Sequence, residues 1–313
     1  MTAPKGVAAA LARILARFAA LMFTASVIIF LLLRAVPGDP ARIALGVSAT
    51  EEAVAQLSAK LGTDRPLLTQ YLDWIGGLLT GDFGVSMASG TDITPQVIER
   101  AGVSLTLTGT AMLLSLAIAV PVGVYLAARG GRPDGAVLGV LAQLGIVVPS
   151  FLVGILGVAV FSVRLGWLPA NGWGTPAHLV LPVTALTLVQ AAILSRYVRG
   201  AVREETGKDY VRTARARGAS ISEVLFGRVL KNAALPVLTV AGVQLSTHIV
   251  GAVVIERVFT LPGLGTMLLT AVGTRDLTTV QTVMMLLVAF TLAVNALVDV
   301  LYAVIDPRVR RRA

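Results

Sequence analysis

The chain has no cysteine and only two histidines, His178 and His248, among its 313 residues. The absence of cysteine excludes disulfides, thiolate metal sites and a cysteine nucleophile. The two histidines are not paired at a metal-ligand spacing, so we expect no metal site. Charge is also scarce, because 14% of the residues are charged and 56% are hydrophobic, whereas soluble domains average about a quarter charged. This composition predicts a polytopic membrane protein.

Nucleotide-binding loops are incomplete in this sequence. The nearest approach to a phosphate-binding loop is GAVREETGKD, where Val202 occupies the position of the first glycine and Asp209 that of the final Ser or Thr. The segment GLGTML (263–268) lacks the third glycine of a dinucleotide fingerprint. We therefore expect no catalytic, cofactor-binding or metal-binding residue in this chain. No nucleic-acid-binding motif accompanies the net charge of +9, so we expect no nucleic-acid partner.

Long apolar runs are abundant, and six of them are suited to cross the hydrocarbon core of a lipid bilayer as helices. The second, third and fourth of these runs contain Pro121, Pro149 and Pro182, respectively, which we interpret as kinks within continuous helices. We predict an all-α polytopic membrane protein with six transmembrane helices. The first run lacks a clear small-x-small cleavage site after it, which favours a retained anchor over a signal peptide. The runs are 18–33, 103–128, 135–163, 178–195, 232–255 and 277–298.

The positive charges are unevenly distributed between the two sides that six spans define. An even number of spans places both termini on one side together with 129–134 and 196–231, and that side carries most of the 26 Lys and Arg residues. The positive-inside rule therefore predicts cytoplasmic termini. Three regions follow from this topology. They are a cytoplasmic N-terminus with the first transmembrane helix (1–33), an extracytoplasmic subdomain (34–100), and a five-helix transmembrane core (101–313) that includes the cytoplasmic loop 196–231.

The loop 196–231 is predicted to fold as a helix, a bend and a second helix. Residues 204–217 are good helix formers, and Gly218 follows where a C-cap glycine is expected. Ser220 and Glu223 have the spacing of a capping box that starts the second helix. On that helix Ile221, Val224, Leu225 and Val229 share one face. A bent helix pair of this kind predicts a protein partner, the alternative being a loop that merely follows the positive-inside rule.

Polar residues in and after the fifth span are candidates for a solute pathway or gate. His248 lies in mid-span with Gln244 on the same face, and its alternative role is a neutral imidazole bonded to a neighbouring helix. In ERVFTLPGLG (256–265) we expect Phe259 and Leu261 to face water, as an outer gate or docking edge. The alternative is a turn packed on its own bundle. The candidate pathway or gate residues are Gln244, His248, Glu256, Phe259, Pro262 and Gly263.

Several of these motifs resemble one family. The stretch YVRTARARGAS, followed by LKNAALPVL, resembles the cytoplasmic EAA loop of ATP-binding-cassette importer permeases of the dipeptide, oligopeptide and nickel subfamily. LLRAVPGDPA, VVPSFLVGILGV and VVIERVFTLPGLGTMLL match the pattern of that subfamily, as does the DPRVR ending. The resemblance covers nearly the whole chain, which makes the set of motifs specific.

The chain departs from the family at one motif. Arg212, Thr213 and Ala214 stand at the Glu-Ala-Ala positions of the EAA pattern, so its glutamate is absent. Glu204, Glu205 or Asp209 are the acidic residues that could replace it. The resemblance implies the following ATPase-coupling residues: Glu204, Glu205, Asp209, Tyr210, Arg212, Thr213, Ala214, Arg215, Ala216, Arg217, Gly218, Ala219 and Ser220.

The resemblance implies an importer subunit in the bacterial inner membrane that performs no chemistry of its own. Its partners would be a second homologous permease, two ATP-binding-cassette ATPase subunits, an extracytoplasmic substrate-binding protein and the lipid bilayer. ATP and Mg would bind to the partner subunits, and the cargo would be di- or oligopeptides, with nickel, glutathione or haem-like solutes as alternatives. A secondary transporter is less favoured, because neither a midplane acid nor a clear repeat is visible. An intramembrane enzyme lacks a catalytic constellation.

Overall fold

The structure, a computed structural model, describes residues 4–35, 40–46 and 49–305. Within these residues the chain is helical, contains no β-strand and has one isolated antiparallel bridge, between Val85 and Asp92. The helices are α1 (Pro4–Arg34), α2 (Pro40–Leu45), α3 (Glu51–Leu61), α4 (Leu67–Thr80), α5 (Thr94–Arg129), α6 (Pro133–Val147), α7 (Ser150–Gly157), α8 (Pro176–Thr206), α9 (Asp209–Ala216), α10 (Ile221–Val224), α11 (Leu230–Val258), α12 (Leu264–Gly273) and α13 (Leu277–Ile305). A π-helical turn, Val158–Arg164, extends α7, and a second one, Leu225–Val229, joins α10 to α11.

Five helices in the described part of the chain are long and apolar enough to cross a membrane. They are Ala8–Arg34, Thr94–Arg129, Pro176–Thr206, Ile221–Val258 and Leu277–Ala303. A sixth candidate is the helix pair Pro133–Val147 and Ser150–Arg164, which is bent by 96°. The all-α polytopic architecture predicted from the sequence is therefore confirmed.

The third predicted span is not the continuous helix that the apolar run suggested. Val148 is extended, with φ −79° and ψ 121°, and α7 starts only after Pro149. Proline disfavours the helical conformation of the residue before it and supplies no backbone N–H, so the chain turns here. Pro121 and Pro182 remain inside α5 and α8, as predicted. The kink prediction was thus wrong at Pro149 alone.

The ends of the long helices define two ends of the bundle, and α5 and α8 run in the same direction. Arg17 of α1 lies 3.8 Å from Asp299 of α13, so the start of α1 meets the end of α13. We call this the terminal end and the other the opposite end. Small residues allow close helix packing: a Cβ on Gly123 of α5 would lie 2.5 Å from the Val198 Cβ of α8. The end of α8 therefore packs tightly on α5 at the terminal end.

The short helices α2 to α4 lie at the opposite end, where an aromatic cluster fastens α4 to α1. The ring of Phe30 packs edge-on against Tyr71 at 5.4 Å and lies 6.3 Å from the stacked ring of Trp74. The Tyr71 hydroxyl shares a 2.8 Å hydrogen bond with Ser26. Aromatic pairs of this geometry stabilise packing beyond the area they bury. The outer helix α4 is thereby positioned by contacts from the last turns of α1.

Candidate coupling segment and gate

The predicted coupling segment, residues 196–231, contains one more break than the sequence suggested. Helix α8 continues beyond the apolar run to Thr206, Lys208 is extended, and α9 begins at Asp209. The prediction of one helix over 204–217 was therefore wrong. Gly207 weakens the helix at this point, and an acidic residue in the first turn favours a new helix start at Asp209.

The bend after α9 is built as predicted, around a left-handed glycine. Gly218 has φ +89°. Its N–H donates to the Arg215 carbonyl at 3.0 Å, and the Ala219 N–H donates to the Ala214 carbonyl at 3.2 Å, which together form a Schellman motif. The capping box of the next helix is also present, because the Ser220 hydroxyl and the Glu223 carboxylate each accept from the other's backbone N–H. Two local motifs thus define the corner.

A buried apolar cluster holds the bent segment against the transmembrane helices. It joins α8, α9 and the π-helical turn, and Val202 and Val229 at its centre are fully buried. Ala214 is 5% exposed and belongs to this cluster, so it faces the chain's own core. Ile221, predicted on the buried face, is 46% exposed. The cluster consists of Val124, Val198, Val202, Val211, Ala214, Val224, Leu225, Val229, Ala233 and Val237.

A polar network ties the two sides of the α8–α9 break together. Glu205 is buried; its carboxylate pairs with Lys208 and accepts a 2.8 Å hydrogen bond from the Tyr210 hydroxyl. The hydrogen bond to this carboxylate raises the pKa of Lys208, and burial raises the pKa of Tyr210. Because Glu205 is engaged inside the segment, Glu204 and Asp209 are the acidic residues of the three that remain exposed.

The outward face of the coupling segment is strongly basic. Asp209 and Arg212 lie 3.8 Å apart, and their side chains are 98% and 79% exposed. Tyr210 and Ala219 are half-buried, while Glu205 and Ala214 are buried. A rigid, basic corner of this kind can dock in an acidic groove and transmit movement to α8 and α11. Of the thirteen predicted coupling residues, the exposed ones are Glu204, Asp209, Arg212, Thr213, Arg215, Ala216, Arg217, Gly218 and Ser220.

The predicted gate stretch 256–265 folds back onto the bundle at the opposite end. Glu256 is 1% exposed and accepts hydrogen bonds from the Ser104 hydroxyl at 2.5 Å and from the Thr266 N–H at 3.1 Å. The Ser104 oxygen accepts from the Leu264 N–H at 2.8 Å. The two side chains therefore satisfy N–H groups at the start of α12. A Cβ on Gly263 would lie 2.2 Å from the Glu256 carboxyl carbon, so this turn requires glycine.

Phe259 and Leu261 do not face water, so that expectation was wrong. They are 1% and 0% exposed. Pro262, which follows Leu261, is half-buried. The Phe259 carbonyl accepts a hydrogen bond from the Gly172 N–H at 2.9 Å. The Phe259 ring packs against Gly154, where an added Cβ would lie only 2.9 Å from the ring. The glycine at 154 opens the space that this ring fills. The alternative, a turn packed on its own bundle, describes the geometry.

His248 and Gln244 lie on α11, the first buried and the second half-buried. Nε2 of His248 has no hydrogen-bond partner within the described residues, so this nitrogen is not bonded to a neighbouring helix. One turn beyond His248 towards the opposite end, an apolar cavity of about 190 Å³ lies between α5, α11, α12 and α13. Glu256 lines it together with Ser104. The structure thus places Glu256 at the cavity and His248 deeper in the same helix.

Sequence reasoning missed Asp276, which connects the outer loops to α13. It is 5% exposed and caps α13 by accepting from the Thr279 N–H at 3.3 Å, and it also accepts from the Thr279 hydroxyl at 2.7 Å. It further accepts from the Met87 N–H at 3.0 Å and the Ser86 hydroxyl at 2.5 Å. An aspartate directly before an apolar run is a helix-start signal that could have identified the cap. Its bonds to Ser86 and Met87, 190 and 189 positions earlier, have no local signal. No group of three or more potential metal ligands occurs in the described part of the chain.

Comparison with known proteins adds two family matches. The family described as binding-protein-dependent transport system inner membrane component matches residues 119–311, and its N-terminal companion family matches residues 9–108. A probable peptide ABC transporter permease, y4tP of Sinorhizobium fredii, is 36% identical over 93% of this chain and 96% of its own length. A putative peptide permease of Brucella ovis is 38% identical over 93% and 95%. The glutathione transport system permease GsiC of Escherichia coli K12 is 36% identical over 92% and 94%.

Solved structures share the fold at lower identity. The inward-facing MetNI methionine ABC transporter aligns with a TM-score of 0.57 and 20% identity, covering 70% of this chain and 97% of its own. An amino acid ABC transporter aligns with a TM-score of 0.50 and 16% identity, covering 70% and 95%. At these identities the likeness concerns the arrangement of helices.

Proposed function

Because the chain belongs to the family of binding-protein-dependent transport system inner membrane components, we propose that its coupling segment receives the movement of an ATPase subunit. The chain is a permease subunit of an ATP-binding-cassette importer of the peptide and nickel subfamily. It is a multi-pass protein of the bacterial inner membrane and is not itself catalytic.

The observation that carries the proposal is the rigid corner at Gly218. The buried cluster joins α9 to α8 and to α11, so a push on the exposed face of α9 moves two transmembrane helices together. The exposed arginines of that face suit an acidic groove on the ATPase. ATP-driven closure of two ATPases would then shift the permease between two states by differential contacts at this corner.

The complete transporter, in this proposal, contains a second homologous permease, two ATP-binding-cassette ATPase subunits and an extracytoplasmic substrate-binding protein. ATP and Mg bind to the ATPase subunits, and this chain contributes no nucleotide or metal ligand. The general importer architecture of the family supports this composition. Purifying the tagged chain from its native membrane and identifying the stoichiometric subunits tests it. A chain that purifies alone from intact membranes, yet supports uptake, would contradict the composition.

The terminal end of the bundle is proposed to face the cytoplasm, because it carries most of the Arg and Lys residues. The chain has no cysteine, so a single engineered cysteine reports one position. The exposed residues Ala88 and Thr175 lie at the opposite end, and Ser220 at the terminal end. We expect Ala88→Cys and Thr175→Cys to react with an impermeant thiol reagent in intact cells, whereas Ser220→Cys reacts only after lysis. Labelling of Ser220→Cys in intact cells would reverse the orientation.

The proposed cargo is a di- or oligopeptide, which the names of the Sinorhizobium and Brucella relatives support. Glutathione is the second candidate, because the glutathione permease GsiC has a sequence identity to this chain similar to that of the peptide permeases. Nickel and haem-like solutes remain further alternatives from the subfamily pattern. Proteoliposomes that contain the full transporter and its binding protein test the proposal with labelled dipeptide, glutathione and nickel. ATP-dependent uptake of dipeptide supports it. Uptake driven by an ion gradient without ATP would indicate a secondary transporter instead.

A further inference from the structure

An open cleft of about 280 Å³ lies at the opposite end of the bundle, outside both the coupling segment and the predicted gate stretch 256–265. Its walls are formed by the end of α1, by α4, by the loop 82–87 and by the start of α13. One water molecule takes up about 30 Å³ of liquid, so the cleft has room for a small organic solute. Its lining residues include Arg34, Gln70, Asp73, Trp74, Asp82 and Gln281.

One side of the cleft carries hydrogen-bond donors that lack acceptors. Arg34 forms no ion pair with any described residue, and its guanidinium lies 5.2 Å from the centre of the Phe30 ring. Both Nε of Arg34 and Nε1 of Trp74 are buried without a hydrogen-bond partner in the described structure. The ring of Trp74 is held by its stack on Phe30. Unsatisfied buried donors are uncommon in folded proteins, so two at one cleft point to an absent acceptor.

The same cleft carries acceptors that lack donors. The Gln70 amide nitrogen donates to the carbonyls of Thr63 at 3.0 Å and Arg65 at 2.7 Å, which fixes the amide and leaves its oxygen buried without a described partner. The exposed Asp82 carboxylate accepts only from the Gly84 N–H, at 3.0 Å, and has no counter-ion among the described residues. Asp73 differs, because it pairs with Arg65 at 3.1 Å. An unpaired cation and an unpaired anion therefore share one cleft.

We propose that this cleft binds a small zwitterion, with its oxyanion at Arg34 and Trp74 and its primary ammonium at Gln70 and Asp82. A simple anion would satisfy the two donors but would leave the Gln70 oxygen unpaired and face the Asp82 carboxylate. A simple cation would face the Arg34 guanidinium. Two sources supply the required chemistry: a free amino acid or short peptide in solution, and the ethanolamine phosphate headgroup of a membrane lipid. The position of Arg34 at the end of a spanning helix is compatible with both.

Calorimetric titration of the full chain in nanodiscs tests the site. In phosphatidylcholine nanodiscs, whose quaternary ammonium cannot donate a hydrogen bond, the probes are glycylglycine and O-phosphoethanolamine. Acetate and ethylamine serve as probes of one charge each. We expect saturable binding of at least one zwitterion and weaker binding of both single-charge probes. A second arm repeats the glycylglycine titration in nanodiscs containing phosphatidylethanolamine. Competition there identifies the lipid headgroup as the occupant, and unchanged binding identifies the soluble solute.

Variants separate the site from unspecific binding. Arg34→Gln and Asp82→Asn each remove one charge, and we expect each to weaken binding by about tenfold or more, as for loss of a charged hydrogen bond. Arg164→Gln is the matched control, because Arg164 is an exposed arginine that does not line the cleft. Asp82 is exposed, so its variant carries little risk of misfolding. Absence of saturable binding in both nanodiscs, wild-type affinity of Asp82→Asn, or equal binding of acetate would overturn the proposal.

Discussion

Replacing Gly218 by valine should uncouple the permease from its ATPase without unfolding the transmembrane helices. The residue has φ +89°, and a Cβ placed on it meets no atom within 4 Å. The cost of the substitution is therefore backbone strain alone, with no steric clash to relieve. The left-handed conformation costs an L-residue about 1–2 kcal/mol, and a β-branched residue lies at the upper end of that range or above it.

The size of the effect follows from that strain. Two competing outcomes are available to the variant: the corner keeps its shape under strain, or it opens and leaves the docking shape. If the open corner is favoured by about 2 kcal/mol in the variant, the docking-competent population falls by roughly thirtyfold. The apparent Kd for the ATPase then rises by the same factor. The buried cluster opposes opening, so we expect a tenfold to thirtyfold loss of affinity and a matching loss of uptake at limiting ATPase, by the same reasoning.

The assay measures binding of the purified ATPase to the chain in nanodiscs, alongside ATP-driven uptake by the reconstituted transporter. Gly218→Asn is the first control, because asparagine tolerates the left-handed region better than other residues, so it should stay near wild type. Gly200→Ala is the second, since Gly200 is an α8 residue with open space around its Cβ position. Wild-type affinity and uptake for Gly218→Val would refute the reasoning. An equal loss for Asn and Val would show that backbone strain is not the cause.

Three further substitutions have defined outcomes. Ala214→Asp places an unpaired carboxylate in the buried cluster, and we expect a loss of about 3–5 kcal/mol, seen as proteolysis of the coupling segment rather than as a docking defect alone. Asp276→Ala leaves the Ser86 hydroxyl without its acceptor and should cost about 2–3 kcal/mol, seen as faster proteolytic cleavage of the outer loops with unchanged helix content. Gly242→Leu is expected to lower Tm, because a Cβ there would lie 2.1 Å from Val298 Cγ2; an unchanged Tm would contradict the close α11–α13 packing.

Features of the fold that depend on local chemistry could be predicted from the sequence. Long apolar runs require helices in a bilayer, and they identified the spans. The bend at Gly218 and the capping box at Ser220 were predicted because the residues that form them are neighbours in the chain. The basic character of the coupling segment was likewise visible from its composition.

Features that depend on distant contacts could not be predicted. Ala214 is buried in a cluster with valines from α5, α8, α10 and α11, and Phe259 is buried in the space that Gly154 leaves on α7. Pro149 stands between two helices whereas Pro121 and Pro182 lie inside one, although all three are prolines within long apolar runs. The bond from Met87 to Asp276 joins residues 189 positions apart. These outcomes are decided by tertiary packing, which one sequence does not specify residue by residue.

The central claim is that the outer face of α9 docks on the ATPase and transmits its movement. Ala216 lies exposed on that face, whereas Ala214, two residues earlier, is buried in the cluster. The chain has no cysteine of its own, so Ala216→Cys should cross-link to the ATPase through a short bifunctional reagent. The link should stop ATP-driven uptake. Ala214→Cys and Ala88→Cys are the controls and should not cross-link. A cross-link to the ATPase from Ala88→Cys, or none from Ala216→Cys in a transporter that imports substrate normally, would contradict the account.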